Sequence, residues 1–310
     1  KIKYCSVESI CDLNTNKLNL ENIKDQNIFK TKNYKELLKR NLDLIVIASY
    51  DNFHSQQIID FVKKGIHVFV EKPLCIAKEE LKRIKNILKK NPKIKFSSNF
   101  VLRTKKTFKY VKSTIEKNKF GKTYYLEGDY NFGRLKKITT GWRSKISFYS
   151  VMHGGGIHLI DLILWMNNKK IIKVFAEGNS LSTQNTKFKS NDFVISILKF
   201  QDGSIAKVTA NFGSVTPHHH IFKVYGTKRT YFHSHLSDLI YNSRNPKLKP
   251  KNILFKNNYI NQGDVLKSFT KSLISKEKSI VSKEDALRSI TVSLAIEDSL
   301  KKKKWIEVNY

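Results

Sequence analysis

The chain has 310 residues, 40% hydrophobic and 27% charged, which suits about two globular domains and excludes a small peptide or a disordered chain. No apolar run approaches the roughly 20 residues that cross a bilayer, so we expect no membrane contact. The net charge of +32 would suit a polyanion, but only 8 of the 58 basic residues are arginine. Because the lysines are also scattered, we predict no nucleic-acid partner.

The cysteines indicate the compartment. Cys5, Cys11 and Cys75 are odd in number and lack the spacing of metal ligands. Free thiols are typical of reducing compartments. The first residues show no basic segment leading into an apolar one, so no secretory signal is indicated. We therefore expect a cytoplasmic protein.

The first hundred residues alternate between strand and helix patterns. Strands are predicted at residues 3–11, 42–48, 66–70 and 94–98, and helices at residues 34–40, 55–64 and 77–90. The run LDLIVIA at 42–48 is continuously apolar, as strands of a buried parallel sheet are. Residues 1–98 are therefore predicted to form an α/β domain with a Rossmann-type parallel sheet, which binds a dinucleotide at the carboxyl ends of its strands.

From residue 99 the pattern becomes strand-rich. Helices are predicted at residues 107–118 and 156–165, strands at 123–132, 173–181, 192–200, 204–212 and 220–224, and a helical block at 262–300. Residues 99–310 are therefore predicted to form an α+β domain with a large, mainly antiparallel open sheet and C-terminal helices.

Asp12 closes the first predicted strand. A carboxylate there can accept hydrogen bonds from both ribose hydroxyls of NAD, and it repels the 2′-phosphate of NADP. A strand-end aspartate is also a common turn former or helix cap. NAD is the predicted cofactor, with NADP as the alternative.

Three sequence segments resemble those of one known family. Residues 48–54 read ASYDNFH, residues 65–73 read GIHVFVEKP, and residues 154–165 read GGGIHLIDLILW. Together they resemble the Gfo/Idh/MocA oxidoreductases, such as glucose-fructose oxidoreductase and inositol dehydrogenase. The resemblance implies an NAD(P)-dependent dehydrogenase that transfers a hydride between the nicotinamide and a secondary hydroxyl of a sugar, cyclitol or nucleotide-linked sugar.

The resemblance implies that Lys72 and His158 are catalytic. Loss of the hydroxyl proton requires a base or hydrogen-bond partner within about 3 Å, and these two residues can share that task. Asp161 follows His158 by three residues on one helical face, so it can orient the ring or bind a backbone neighbour. A solvated lysine and a core histidine are the alternative interpretations.

The other site residues are expected in two groups. Cofactor contacts are predicted for Asp12, Ser49, Tyr50, Asn52, His54, Glu71, Lys72 and Pro73. Substrate contacts are predicted for Arg103, Trp142, Arg143, His153 and Asp161. For the arginines, ordinary surface charge is the alternative.

The chain departs from the family pattern at two places. Many members carry an aspartate four residues before the motif histidine, whereas this sequence has Gly154 there, preceded by His153. The family also opens with a strand and a Gly-rich GxGxxG turn that binds the pyrophosphate, and no such motif precedes Asp12. We therefore expect either a sequence that lacks its first βα unit or a degenerate member that binds cofactor poorly.

Histidines are frequent in one later region. His218, His219, His220, His233 and His235 include alternate strand positions, which share a face and could bind zinc. No cysteine or carboxylate spacing completes such a site, so we predict solvated histidines and no metal.

The sequence also allows two other functions, and it suggests an oligomeric state. The protein could use NAD transiently to cleave or epimerise a glycoside, or it could be a non-catalytic regulator that binds a sugar or dinucleotide. An open sheet must bury its second face, and the resemblance implies that subunits pair through it. A homodimer or homotetramer is expected.

Overall fold

The structure is a computed structural model that describes residue 2 and residues 4–18, 27–146 and 148–310. Its first part alternates strands and helices, as predicted. The strands are β1 (Ser9–Cys11), β2 (Phe29–Thr31), β3 (Leu44–Ile47), β4 (His67–Val70) and β5 (Phe96–Ser98). The helices are α1 (Thr15–Leu18), α2 (Tyr34–Leu37), α3 (His54–Lys63) and α4 (Lys78–Lys90).

The parallel strands form two separate sheets among the described residues. β1 pairs with β2, and β3, β4 and β5 pair in that order, all in parallel. The strand predicted at 3–11 is shorter than expected, because only Ser9–Cys11 joins a ladder, and residue 3 lies outside the described residues. The residues that follow β1, β3 and β4 carry the predicted cofactor contacts, and those after β3 and β4 lie at one edge because these two strands are parallel neighbours.

The second part contains one large sheet. Its strands are β6 (Thr123–Asn131), β7 (Ile171–Asn179), β8 (Phe193–Phe200), β9 (Ile205–Asn211), β10 (His219–Gly226), β11 (Thr230–His233), β12 (Asp238–Tyr241), β13 (Lys251–Asn252) and β14 (Ile306–Glu307). Their order is β13-β12-β11-β10-β6-β9-β8-β7-β14. Only the β6–β9 pair is parallel among the described pairs, which confirms the mainly antiparallel sheet.

The helices of the second part are α5 (Lys106–Glu116), α6 (Lys136–Thr139), α7 (Ile157–Asn167), α8 (Asp264–Ile274) and α9 (Lys283–Lys302). Of these, α7 and α9 cover one face of the large sheet. α7 is apolar on nearly all sides, because it lies between the sheet and α9. The long α9 joins two cores: Val292 and Ile296 pack with the large sheet, whereas Ile290 and Leu294 pack with β3–β5.

The C-terminal helices therefore stabilise both halves of the molecule. Val265 and Phe269 of α8 also belong to the core around β3–β5. The domain boundary between residues 98 and 99 stays a prediction. Within the described ranges, no helix has the length and apolar character needed to cross a bilayer.

Candidate active site

Lys72 follows β4 at the carboxyl edge of the parallel sheet. Its Nζ donates a hydrogen bond to the carbonyl oxygen of Gly154 at 2.7 Å. Burial lowers the pKa of the Lys72 ammonium; the charges of Asp51 and Glu71 oppose this shift, and that of Arg143 adds to it. No carboxylate oxygen of the described residues lies within 4.0 Å of this Nζ. Lys72 is thus a buried amine whose only hydrogen-bond partner in that part of the chain is a backbone carbonyl.

The chain enters α7 through one π-helical turn, Met152–Gly156. Turns of this kind often occur at functional sites. Glycine is required in it: a Cβ on Gly154 would lie 1.9 Å from the Tyr149 hydroxyl oxygen, and a Cβ on Gly155 would lie 2.4 Å from the Tyr130 ring. The glycines therefore let the backbone approach Lys72 and two tyrosines at once.

His158 lies in the first turn of α7, one turn after Gly154. Its ring is parallel to that of Tyr130, with 6.4 Å between centroids, and meets the Phe100 ring edge-on at 6.2 Å. Its Nδ1 is buried without a hydrogen-bond partner among the described residues. Burial, and next the charge of Lys72, hold the pKa of His158 well below its usual value, so the ring is neutral at pH 7.

Two further histidines, the wall histidines, lie beside the same Tyr130 ring. His220 lies opposite Tyr130 in the β10–β6 ladder, and its ring centroid is 5.1 Å from that of Tyr130. His218 lies at the same distance from Tyr130. Burial lowers the pKa of His220 to about 3 and that of His218 to about 4. No group of three His, Cys, Asp or Glu residues in the described ranges is arranged to hold a metal. Burial keeps both rings neutral at pH 7, and they are half-buried rather than solvated as predicted.

An aromatic and cationic cluster lies beside the glycine turn. The ring of Trp142 stacks on that of Tyr50 with 4.6 Å between centroids, and the Arg143 guanidinium carbon lies 4.6 Å from the Trp142 centroid. Arg143 Nε donates a hydrogen bond to the Tyr149 hydroxyl at 3.0 Å. The structure thus brings together Trp142 and Arg143, predicted to bind substrate, and Tyr50, predicted to bind cofactor.

Sequence reasoning missed Asp51. Asp51 begins a short 3-10 turn, Asp51–Phe53, between residues that were predicted as contacts. Burial raises the pKa of its carboxyl, whereas the charges of Lys72, His54 and Arg143 lower it. Its position just after a parallel strand could have indicated a functional role. An aspartate in a turn, however, usually forms a hydrogen bond to the backbone of that turn.

The structure gives Arg103 and Asp161 a different role from the substrate contact predicted for them. Arg103 donates two hydrogen bonds of 2.8 Å to the Asp161 carboxylate, and the two side chains are 2% and 0% exposed. Arg103 also donates to Asp285 of α9 at 2.9 Å. They form a buried structural ion pair, so Asp161 does not orient His158 through a hydrogen bond.

His153 and His54 also form hydrogen bonds that hold their rings within the fold. His153 Nδ1 lies 2.7 Å from the Ser293 hydroxyl of α9. This ring therefore does not take the role of the aspartate that many family members carry at the position of Gly154. His54 is fully buried, with its two ring nitrogens 2.6 Å from the Pro73 carbonyl and 3.0 Å from the Ser49 carbonyl. It positions the ends of β3 and β4 instead of making the predicted direct cofactor contact.

The remaining cofactor residues lie along the strand ends. Asp12 accepts a hydrogen bond from the Asn14 backbone at 2.8 Å, and its carboxylate stays about one-third exposed. Ser49 donates to Gln57 at 2.8 Å, and Glu71 accepts from Asn99 at 2.5 Å. Asn52 is exposed and Pro73 is buried. An accessible carboxylate at the end of β1 and a buried amine at the end of β4 fit the ribose and nicotinamide ends of a dinucleotide.

Comparison with known proteins decides the family. Residues 6–100 match the profile of an oxidoreductase family with an NAD-binding Rossmann fold, and residues 108–232 match the Gfo/Idh/MocA C-terminal domain. The chain belongs to the Gfo/Idh/MocA family. The family resemblance and the fold class are confirmed, and the protein is an oxidoreductase that uses NAD. The loss of a first βα unit stays a prediction.

Several members of this Gfo/Idh/MocA family are similar along most of the chain. The myo-inositol 2-dehydrogenase of Thermotoga maritima is 24% identical over 282 residues, which is 86% of this chain and 80% of that protein. The solved myo-inositol 2-dehydrogenase of Lactobacillus plantarum has a TM-score of 0.82 at 20% identity, covering 100% of this chain and 93% of that chain. The scyllo-inositol dehydrogenase of Lactobacillus casei, with NAD(H) and scyllo-inositol bound, has a TM-score of 0.79 at 18% identity, covering 99% and 93%. The structural similarities show a shared fold.

Proposed function

We propose that this protein is an NAD-dependent dehydrogenase that oxidises a secondary hydroxyl of a sugar or cyclitol and reduces the matching ketone in reverse. The observation that carries the proposal is the hydrogen bond from Lys72 to Gly154, which places a buried amine one helical turn from His158. The inositol dehydrogenases named above support a polyhydroxylated substrate.

The chain supplies the acid–base chemistry. When bound, NAD provides the ring carbon that accepts the hydride. Lys72, as a free amine, takes the hydroxyl proton, while the C–H hydrogen leaves with its electron pair and the carbon–oxygen bond becomes a carbonyl. Neutral His158 forms a hydrogen bond with the same oxygen and orients it. Burial favours the free amine because it lowers the pKa of Lys72.

The strand ends supply the cofactor contacts in this proposal. Asp12 accepts hydrogen bonds from the adenosine ribose, which favours NAD over NADP. Tyr50, stacked on Trp142, lies between the predicted cofactor and substrate residues. Ser49 and Glu71 lie at the ends of β3 and β4, where the nicotinamide half would lie.

The proposal is tested by replacing Lys72 with alanine. We expect kcat/KM for the oxidation of a sugar or cyclitol substrate to fall by about 10² to 10⁴, because general acid–base groups contribute that much. His158→Ala is expected to lower it in the same direction. NADH formation is followed by absorbance, and NAD binding and melting temperature are measured for each variant.

Lys89→Ala is the control, because Lys89 is exposed in the last turn of α4. Near-normal turnover by Lys72→Ala with intact NAD binding would show that this lysine is not catalytic. Conversion of a sugar without net NADH would instead support the transient redox cycle that cleaves or epimerises a glycoside.

We also propose an assembly and a location. The face of the large sheet that lacks helices carries Ile197 and Ile205, which are 41% and 44% exposed. Pairing through this face into a homodimer or homotetramer would bury them. Cytoplasmic location is supported by the thiols of Cys5, Cys11 and Cys75, which are all free.

A further inference from the structure

The space beside Gly154 is filled from another part of the chain. A side chain at position 154 would collide with the Tyr149 hydroxyl, since the Cβ would lie only 1.9 Å from that oxygen. Tyr149 is buried, and its oxygen accepts a hydrogen bond from Arg143. Its own O–H hydrogen therefore remains available to a ligand. A phenol donor held by a guanidinium thus occupies the place where a residue-154 side chain would point.

Arg143 presents a free donor edge. Its Nε is used by Tyr149, and its terminal nitrogens have no hydrogen-bond partner in the part of the chain that the structure describes. The guanidinium lies over the Trp142 ring, which fixes its plane. A planar fork with two unused nitrogens matches the geometry of a carboxylate.

The basic side chains near this edge have no carboxylate paired with them among the described residues. No carboxylate oxygen of the described residues lies within 4.0 Å of the basic nitrogens of Lys72 or Arg143. Asp51 is the carboxylate whose charge acts on both, without pairing with either. His158 and the two wall histidines, His218 and His220, are neutral at pH 7. The Arg143 guanidinium, which stays charged, thus has no paired carboxylate among the described residues, and a half-buried cation without a paired counter-ion favours an anionic ligand.

We propose that Arg143 and Tyr149 form a subsite for a carboxylate of the substrate, so that the substrate is a sugar acid. Arg143 binds the carboxylate through its two terminal nitrogens, and the Tyr149 hydroxyl donates a third hydrogen bond. Lys72, which is hydrogen-bonded to the Gly154 carbonyl, and His158 remain for the hydroxyl that is oxidised. This inference rests on the proposed dehydrogenase function and narrows its substrate class.

The test compares acids with their neutral parent sugars. D-glucuronate is paired with D-glucose, and D-galacturonate with D-galactose, in titration calorimetry of the full chain with NADH present, so that no oxidation occurs. We expect at least one acid to bind about tenfold or more tightly than its parent, as for hydrogen bonds to charged groups. Arg143→Gln should reduce this preference to about twofold or less, whereas Tyr149→Phe should weaken acid binding alone.

Arg244→Gln is the matched control, because Arg244 is exposed and donates a hydrogen bond to the backbone carbonyl of Thr227. It should keep the preference for the acid. An unchanged preference in Arg143→Gln, equal binding of acid and parent, or no saturable binding of either acid would each overturn the subsite. Acid binding without any turnover with NAD would leave the subsite standing and contradict the dehydrogenase proposal instead.

Discussion

At the scale of single residues, Gly154 shows how the loss of one side chain reorganises a site. The Tyr149 hydroxyl occupies the place where a Cβ would lie, and the Gly154 carbonyl accepts a hydrogen bond from Lys72 Nζ. Gly154→Ala is therefore expected to lower the free energy of unfolding by about 1–3 kcal/mol, the usual cost of overpacking. Urea denaturation measures this change.

Gly263→Ala serves as the comparison for Gly154→Ala. A Cβ there would meet its nearest atom, Asn261 Oδ1, at 3.6 Å, an ordinary contact. Its effect should stay within about 0.5 kcal/mol. If both alanine variants have the same stability, then Tyr149 moves freely and does not fill a fixed space.

His153 is expected to make stability depend on pH. Burial, helped by the charge of Lys301, lowers the pKa of His153 to about 3. The unfolded chain binds this proton near pH 6.5 and the folded chain does not, so stability falls as pH decreases from about 6.5 towards 3. His153→Gln should reduce the stability difference between about pH 7.5 and about pH 5 by about 2 kcal/mol.

Urea denaturation of the wild type and of His153→Gln at both pH values measures this effect. Glu297 works in the opposite direction, because burial raises the pKa of its carboxyl to about 7 and the folded chain then binds a proton that the unfolded chain has lost. Since both proteins contain Glu297, its effect cancels in the comparison. An identical pH dependence in the two proteins would contradict a buried neutral His153.

At the scale of elements, the buried side chain of Arg103 connects α7 and α9 to the 3-10 turn that follows β5. Arg103 lies in the 3-10 turn Val101–Thr104, Asp161 in α7 and Asp285 in α9. Asp161→Ala would leave a buried guanidinium with one partner fewer, so we expect the free energy of unfolding to fall by about 3–5 kcal/mol.

The exposed pair Lys271–Glu277 provides the reference. Glu277→Ala should change stability by less than about 1 kcal/mol, because water already solvates both charges. Urea denaturation compares the two variants. An equally small effect of Asp161→Ala would show that Asp161 does not stabilise the fold and would reopen its predicted role as a substrate contact.

The elements themselves were largely predictable, because apolar periodicity is a local signal. Continuous apolar runs gave β3 and β4, and amphipathic spacing gave α4. The π-helical turn Met152–Gly156 was missed because a glycine triplet has no periodicity. The two-residue strands β13 and β14 were missed because their pairing depends on distant partners.

The site was predictable where motifs carry it and unpredictable where the fold assembles it. Lys72 and His158 were predicted from the motifs, and their catalytic roles stay predictions, whereas the approach of Tyr149 to Gly154 depends on the path of a loop. The ion pair of Arg103 with Asp161 joins residues 58 positions apart, so charge alone could not separate it from a substrate contact.

At the scale of the whole molecule, the open face of the large sheet is mixed in character. α7 and α9 cover the inner face. On the outer face, Lys207 pairs with Glu127 at 2.6 Å and with Asp129 at 2.9 Å, and apolar side chains lie beside this network. A sheet face that combines ion pairs with exposed isoleucines is suited to self-association. A two-fold axis would bring this face against the same face of a second copy.

The assembly prediction follows from this face. Ile197→Asp combined with Ile205→Asp would place four new carboxylates in a two-fold interface, so we expect the protein to shift from a dimer or tetramer to a monomer. Light scattering after size-exclusion chromatography measures the mass. Both residues are partly exposed in one chain, so the monomer should remain folded, which circular dichroism checks. Leu248→Asp, in a loop where that side chain is 60% exposed, should leave the assembly unchanged. If the double variant keeps the wild-type mass, then the subunits pair through another surface, and the sheet face is simply solvated by its charged network.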